Sequence, residues 1–166
     1  MTDRTTLAFR AVVLMIELGT ALMTTLVVLG NITDPRSNMQ FVEGVMTMET
    51  TYRSPRLMWR AIRSTTLHRL CFLLIVTTEA TLAVVSWIGS WQLVTHLNSP
   101  SDAWHAAKFW SVVAFAIAVF IWFVMFQVIG NEWFASWQSE TWNAIRDTTR
   151  INLVTFAGLA LLLLTP

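Results

Sequence analysis

Two carboxylates stand where an apolar chain has least reason to keep them. Glu17 interrupts the run from Leu7 to Leu29, and Glu79 is the lone charge between Leu70 and Leu93. A charge at mid-bilayer costs at least about 2.5–3.5 kcal/mol, so such residues usually face a bundle interior and mark a pathway, a relay or a partner contact. Helical spacing places Arg10, Glu17, Thr20, Thr24 and Asn31 on one stripe of the first run. Glu79, Ala83, Ser86 and Ser90 share a face of the second, where small residues let two backbones approach. At ~1.5 Å per residue, Glu79 lies about 15 Å in from Arg69 and Glu17 about 20 Å in from Gly30. That small difference in level predicts that the two side chains meet at one seam and share a proton or a cation, with Thr20 and Thr24 nearby. The blander reading leaves each Glu protonated, or bonded to Thr20, Thr24 or Thr78, and serving packing alone.

Other groups carry weaker signals. Arg146 and Arg150 are four apart and share a helix face. Arg150 is placed to pair with Glu79 or Glu132, or else to snorkel to headgroups. Trp133, Trp137 and Gln138 suit a lipid-tail or quinone contact, with an aromatic wall and one amide donor; as belt residues they need no ligand. Met46 and Met48, with Met39 and Met58, have thioether chemistry suited to Cu(I) but no adjacent His or Cys. His68, His96 and His105 are too scattered for a triad. The single Cys71 excludes an intramolecular disulfide and sits in an apolar run that suggests packing. No phosphate loop, zinc-protease motif or nucleophile elbow is present in the sequence. No metal site, cofactor or catalytic set is expected, nor an enzyme acting alone.

The elements that must hold these residues follow from composition. Of 166 residues 55% are hydrophobic and 13% charged, about half the charge of an average soluble domain. With nine Trp, ten Phe and a net charge of +1, the chain has neither the surface of a soluble enzyme nor the field of a nucleic-acid binder. Crossing a ~30 Å core takes about 20 apolar residues. Four segments qualify, at about 7–29, 70–93, 109–129 and 143–164. The last is short and borrows its start from the polar residues before Ile151. The continuous apolar runs exclude barrel strands, which alternate. The expected fold is all-α: a four-helix transmembrane bundle in a single domain, with short amphipathic helices in the first and third connections. Residues 31–68 and 130–142 form an extramembrane cap. Asn31–Pro35 reads as a turn, Ser37 and Gln40 as a capping box, and Ser54-Pro55 as the start of an amphipathic helix bearing Arg56, Arg60 and Arg63. Trp87, Trp91, Trp104 and Trp110 mark one interface, and Trp59, Trp133, Trp137 and Trp142 the other.

Several stretches stand out together: Asn31-Ile-Thr-Asp34, Phe41-Val42, Met48-Glu49-Thr50-Thr51, Trp59-Arg60-Ala61-Ile62, Glu132-Trp133-Phe134 and Trp137-Gln138-Ser139. With Asn38, Glu79 and Trp142-Asn143 they resemble a bacterial domain-of-unknown-function family of predicted small integral membrane proteins, over nearly the whole chain. The resemblance implies four spans in a bacterial inner membrane and no particular activity. It also implies cytoplasmic termini, because relatives carry a more basic second-to-third loop. This sequence has only Lys108 there. Its own count, three basic residues on the terminal side against eight arginines on the other, points the opposite way. Two functions of different class are expected. One is an accessory or interaction subunit of a membrane assembly, or a homo-oligomer, contacting lipids and protein partners but no nucleic acid. The other is a small proton or cation channel or transporter using Glu17 and Glu79.

Overall fold

A computed structural model of the chain describes residues 3–166. It is all-α, and four of its helical segments are long and apolar enough to cross a membrane. Helix α1 (Arg4–Thr33) opens on Asp3, whose carboxylate accepts the backbone N–H groups of Thr5 and Thr6. Helix α2 (Pro35–Thr47) follows at once, and α3 (Thr65–Thr95) starts behind the Ser64 cap. A short α4 (Ser101–Ala107) turns at Lys108 into α5 (Phe109–Val119). Helix α5 then widens into a π-helical stretch, Phe120–Trp133. Helix α6 (Ile145–Leu164) closes the chain, its first turn held by the Asn143 side chain, which accepts from the Ile145 N–H.

Helix α3 packs between α1 and α5, and α6 returns between α1 and the α5–π segment. Three buried apolar clusters are stacked along this bundle. Val13, Leu93, Trp104, Phe115 and Leu162 fill one end. Leu82, Val85, Ala114, Ala118, Ile121 and Trp122 fill the middle. At the far end α2 and the π-to-α6 connection cover the start of α3, where Val42, Val45, Met46, Met48, Phe134 and Ala135 pack against Cys71, Phe72 and Ile75. Lipid replaces water around such a bundle, so its outward positions are apolar too, among them Met15, Leu22, Leu26, Leu73 and Leu153.

The connections differ from their sequence expectations. The Asn31–Pro35 stretch is no open turn: α1 runs on to Thr33, and the Asp34 N–H returns to the Gly30 carbonyl. Asp34 caps α2 with Pro35 in its first turn, because an aspartate directly before proline outcompetes the later Ser37. Ser37 becomes a partner of that cap, its hydroxyl donating to Asp34 at 2.6 Å. The arginine helix expected from Ser54-Pro55 reduces to one 3-10 turn, Met58–Arg60. Leu57, Met58, Ala61 and Ile62 pack onto the cap core from this irregular segment. The third connection keeps only a 3-10 turn at Ser136–Gln138, since the π-helical stretch absorbs its first residues.

Candidate functional site

The two membrane carboxylates occupy separate places. Glu17 is fully buried where α1, α3 and α5 converge. Gly89 makes room for it: a Cβ there would lie 2.6 Å from the Ser111 hydroxyl and 2.8 Å from Glu17 Oε1. Ser111 is within reach of the carboxylate, yet neither oxygen of Glu17 forms an aligned hydrogen bond. The hydroxyls of Ser86, Ser90 and Ser111 are equally unpaired and buried. Thr20 and Thr24 do not serve Glu17. Each donates to the carbonyl four residues back in α1, Ile16 and Thr20 respectively. This is the cheapest way for a threonine to satisfy its hydroxyl inside a helix.

Glu79 faces Asn31 instead. The Asn31 amide donates to Glu79 Oε2 at 2.7 Å, and both residues are buried. Gly89 is ten residues along α3 from Glu79, so the two carboxylates lie about 15 Å apart along the helix. The expected meeting of Glu17 and Glu79 therefore does not occur. That expectation required Gly30 and Arg69 to be level, and they are not. Asn31, one residue past Gly30, is level with Glu79, and the first turns of α3 project beyond the end of α1 to be covered by α2. Asn31 was legible as part of a polar stripe, but its partner was not.

The remaining candidates separate as well. Arg150 pairs with Asp147 at 3.1 Å on an exposed face, not with Glu79 or Glu132. Arg146 and Glu132 are exposed. Trp133 and Trp137 belong to two different contacts. Trp133 meets the Trp59 ring edge-on at 5.5 Å, and the Arg60 guanidinium stands 5.0 Å from the Trp133 ring and 5.6 Å from the Trp59 ring. Trp137 meets Tyr52 at 6.2 Å, and Gln138 accepts the Tyr52 N–H at 3.1 Å. Gln138 thus braces the cap rather than joining Trp133 around one ligand. Met46 and Met48 are buried in the cap core. Among the described residues no three His, Cys, Asp or Glu side chains gather as a metal-ligand set.

Residues to which the sequence assigned no partner do much of the polar work. Arg10, 1% exposed, donates to the carbonyls of Leu97, Ser99 and Pro166 and lies 4.8 Å from the Trp104 ring. Lys108 donates to the Thr165 carbonyl and contacts His105. Both cations sit at the C-terminal ends of α3 and α6, where helix carbonyls lack partners and the dipole is negative. At the other end Gln127 bridges to α6, donating to Thr149 at 2.8 Å and accepting from Asn152 at 3.0 Å. The signal for Arg10 was its place inside a span, which requires a buried acceptor.

A cavity of about 240 Å³ opens beside Glu79, lined also by Asn31, Asn38, Trp122, Phe126 and Asp147. Next to it lies an apolar cavity of about 310 Å³ beneath the cap.

Comparison with known proteins gives one assignment. Residues 9–165 match the family described as Predicted small integral membrane protein (DUF2165). No curated protein and no solved structure matches the chain. The chain belongs to this family and is a multi-pass integral membrane protein.

Proposed function

We propose that this member of the small integral membrane protein family is an accessory or interaction subunit of a bacterial inner-membrane assembly, or a homo-oligomer, with the cap as its contact surface. The observation that carries the reading is the aromatic–arginine array on the cap. Tyr52 and Trp59 are 75% and 68% exposed, and Trp133 and Trp137 are each nearly half exposed. Their rings are held in edge-to-face pairs, with Arg60 between two of them. Aromatic residues and arginine are the side chains that dominate the energetics of protein interfaces. Backbone strain accompanies the array: Met48, Arg53 and Ala135, the non-glycine residues with positive φ among the described residues, all lie in the cap. Such conformations persist only where the surroundings impose them, and they tend to collect at functional surfaces.

The transport reading keeps one supporting observation, the unpaired carboxylate of Glu17. The distance between Glu17 and Glu79, and the packed Leu82 and Val85 between their levels, count against a continuous polar route. Intact-complex mass spectrometry from a mild detergent and from lipid nanodiscs separates the readings. The expected result is a complex with a further polypeptide, another copy or a different protein. A Trp59→Ser, Trp133→Ser variant should release it as a folded monomer. A wild-type chain that is monomeric in both preparations overturns the proposal. A proton current in liposomes, abolished by Glu79→Gln, replaces it with the transport reading.

A further inference from the structure

The two adjoining cavities have complementary chemistry. The first is acidic at both ends. Glu79 closes its floor, and exposed Asp147 and Asn38 stand at its mouth. No lysine, arginine or histidine lines it among the described residues. Its walls are aromatic: Phe126 lies 6.1 Å from Phe41 and 5.3 Å from Trp122, and Phe72 faces the same space. The π-helical stretch supplies both Trp122 and Phe126, and such widened helices are frequent at functional sites.

Two buried polar groups here have capacity left over. Glu79 is 2% exposed and has Asn31 as its only hydrogen-bond partner among the described residues. Trp122 is 7% exposed, and its indole N–H has no partner among the described residues. Buried polar groups are normally satisfied, so the unpaired indole N–H of Trp122 and the acceptor capacity left on Glu79, two residues lining one cavity, point to a ligand. The second cavity shares Phe41, Val42, Ile75 and Phe126 with the first and is otherwise almost wholly apolar. It extends to Leu74, which is 56% exposed on the lipid-facing surface.

We propose that these cavities bind one amphiphilic amine, entering from the membrane. Its ammonium group pairs with Glu79 among the aromatic rings, which attract cations through their negative faces. A hydroxyl or ether oxygen beside the amine accepts the Trp122 N–H. Its alkyl tail fills the apolar cavity under the cap. A metal ion is a poorer occupant: at the cavity floor Glu79 stands among aromatic rings with only Asn31 beside it, whose amide N–H is turned toward the carboxylate, short of the six or more oxygens a hard cation takes. An anionic amphiphile would meet Glu79 at the cavity floor, where no lysine, arginine or histidine lines the space among the described residues; the arginine near the mouth, Arg150, is already paired with Asp147.

The test is binding of N,N-dimethyldodecylamine to the wild-type protein in nanodiscs at neutral pH, against dodecanol, dodecanoate and tetramethylammonium. The long-chain amine should bind about tenfold or more tightly than each of the other three. Glu79→Gln should lose that preference for amine over alcohol. Leu74→Trp, which narrows the tail cavity and leaves Glu79 untouched, should weaken the long-chain amine and not tetramethylammonium. Equal binding of amine and alcohol, or unchanged amine binding by Glu79→Gln, overturns the site. Tetramethylammonium binding as tightly as the long-chain amine overturns the tail assignment. If Glu79→Gln does not fold, the wild-type comparison and Leu74→Trp still decide.

Discussion

Glu17 and Gly89 act as one unit. The carboxylate occupies space that a side chain at residue 89 would fill, and the Ser111 backbone nitrogen is only 2.9 Å from where a Cβ would lie. Gly89→Ala should therefore destabilise the bundle by about 1–3 kcal/mol, the usual cost of overpacking. Gly19→Ala is the matched control, since nothing lies within 4 Å of its added methyl. That change should be neutral or stabilising by up to about 1 kcal/mol, as alanine favours helix. Unfolding in mixed micelles checks both, and equal midpoints for the two variants would refute the close packing assigned to Gly89. The sequence singled out Glu17 because a carboxylate in an apolar run is conspicuous. It could not identify Gly89 or Ser111 as its neighbours, because a glycine and a serine in apolar helices have no such signature.

At the scale of the element, α2 depends on its first turn. Asp34 accepts the Ser37 N–H and hydroxyl, and those bonds, the hydroxyl first, hold its carboxyl below the ordinary carboxylate range. A folded-state value below the unfolded one means the stabilisation is complete above the unfolded value and is lost as pH falls through the folded one. Asp34→Ala should lower the thermal midpoint at neutral pH, and the gap from wild type should close on acidification below about pH 4. A gap that stays constant with pH would show that the cap is not electrostatic. The spanning helices were legible from apolar run length, whereas the caps were not: Asp34 rather than Ser37 opens α2, and Ser54 opens no regular helix. The π-helical stretch was not: its wider turn leaves the residue types unchanged, and Gln127 gains its partners only once α6 lies alongside.

For the whole molecule, the placement of charge has consequences for sidedness. Arg10 and Lys108 are buried against helix carbonyls, whereas the cap end bears Arg36, Arg53, Arg56 and Arg69 in the open. We propose cytoplasmic termini from the family resemblance, with the arginine count as the opposing argument. A Cys71→Ser, Arg56→Cys chain treated with an impermeant maleimide reads the outcome directly. Labelling in intact cells places the cap outside the cytoplasm and upholds the proposal. Labelling only after lysis reverses it. Arg56 is exposed, so access does not depend on unfolding.

Composition and hydrophobic run length by themselves determined the class of this protein: helices, four of them long enough to span, in a membrane. Those are one-dimensional properties, because a bilayer demands a minimum apolar length and internally satisfied backbone. The axial offset between helices was left to the tertiary structure. It moved Glu79 away from Glu17, gave it Asn31, and opened the cavity beside it. That offset is set by side-chain packing between α1, α3 and α2, where a shift of a few residues changes every pair of neighbours. Distances measured along each helix from its own end cannot detect it.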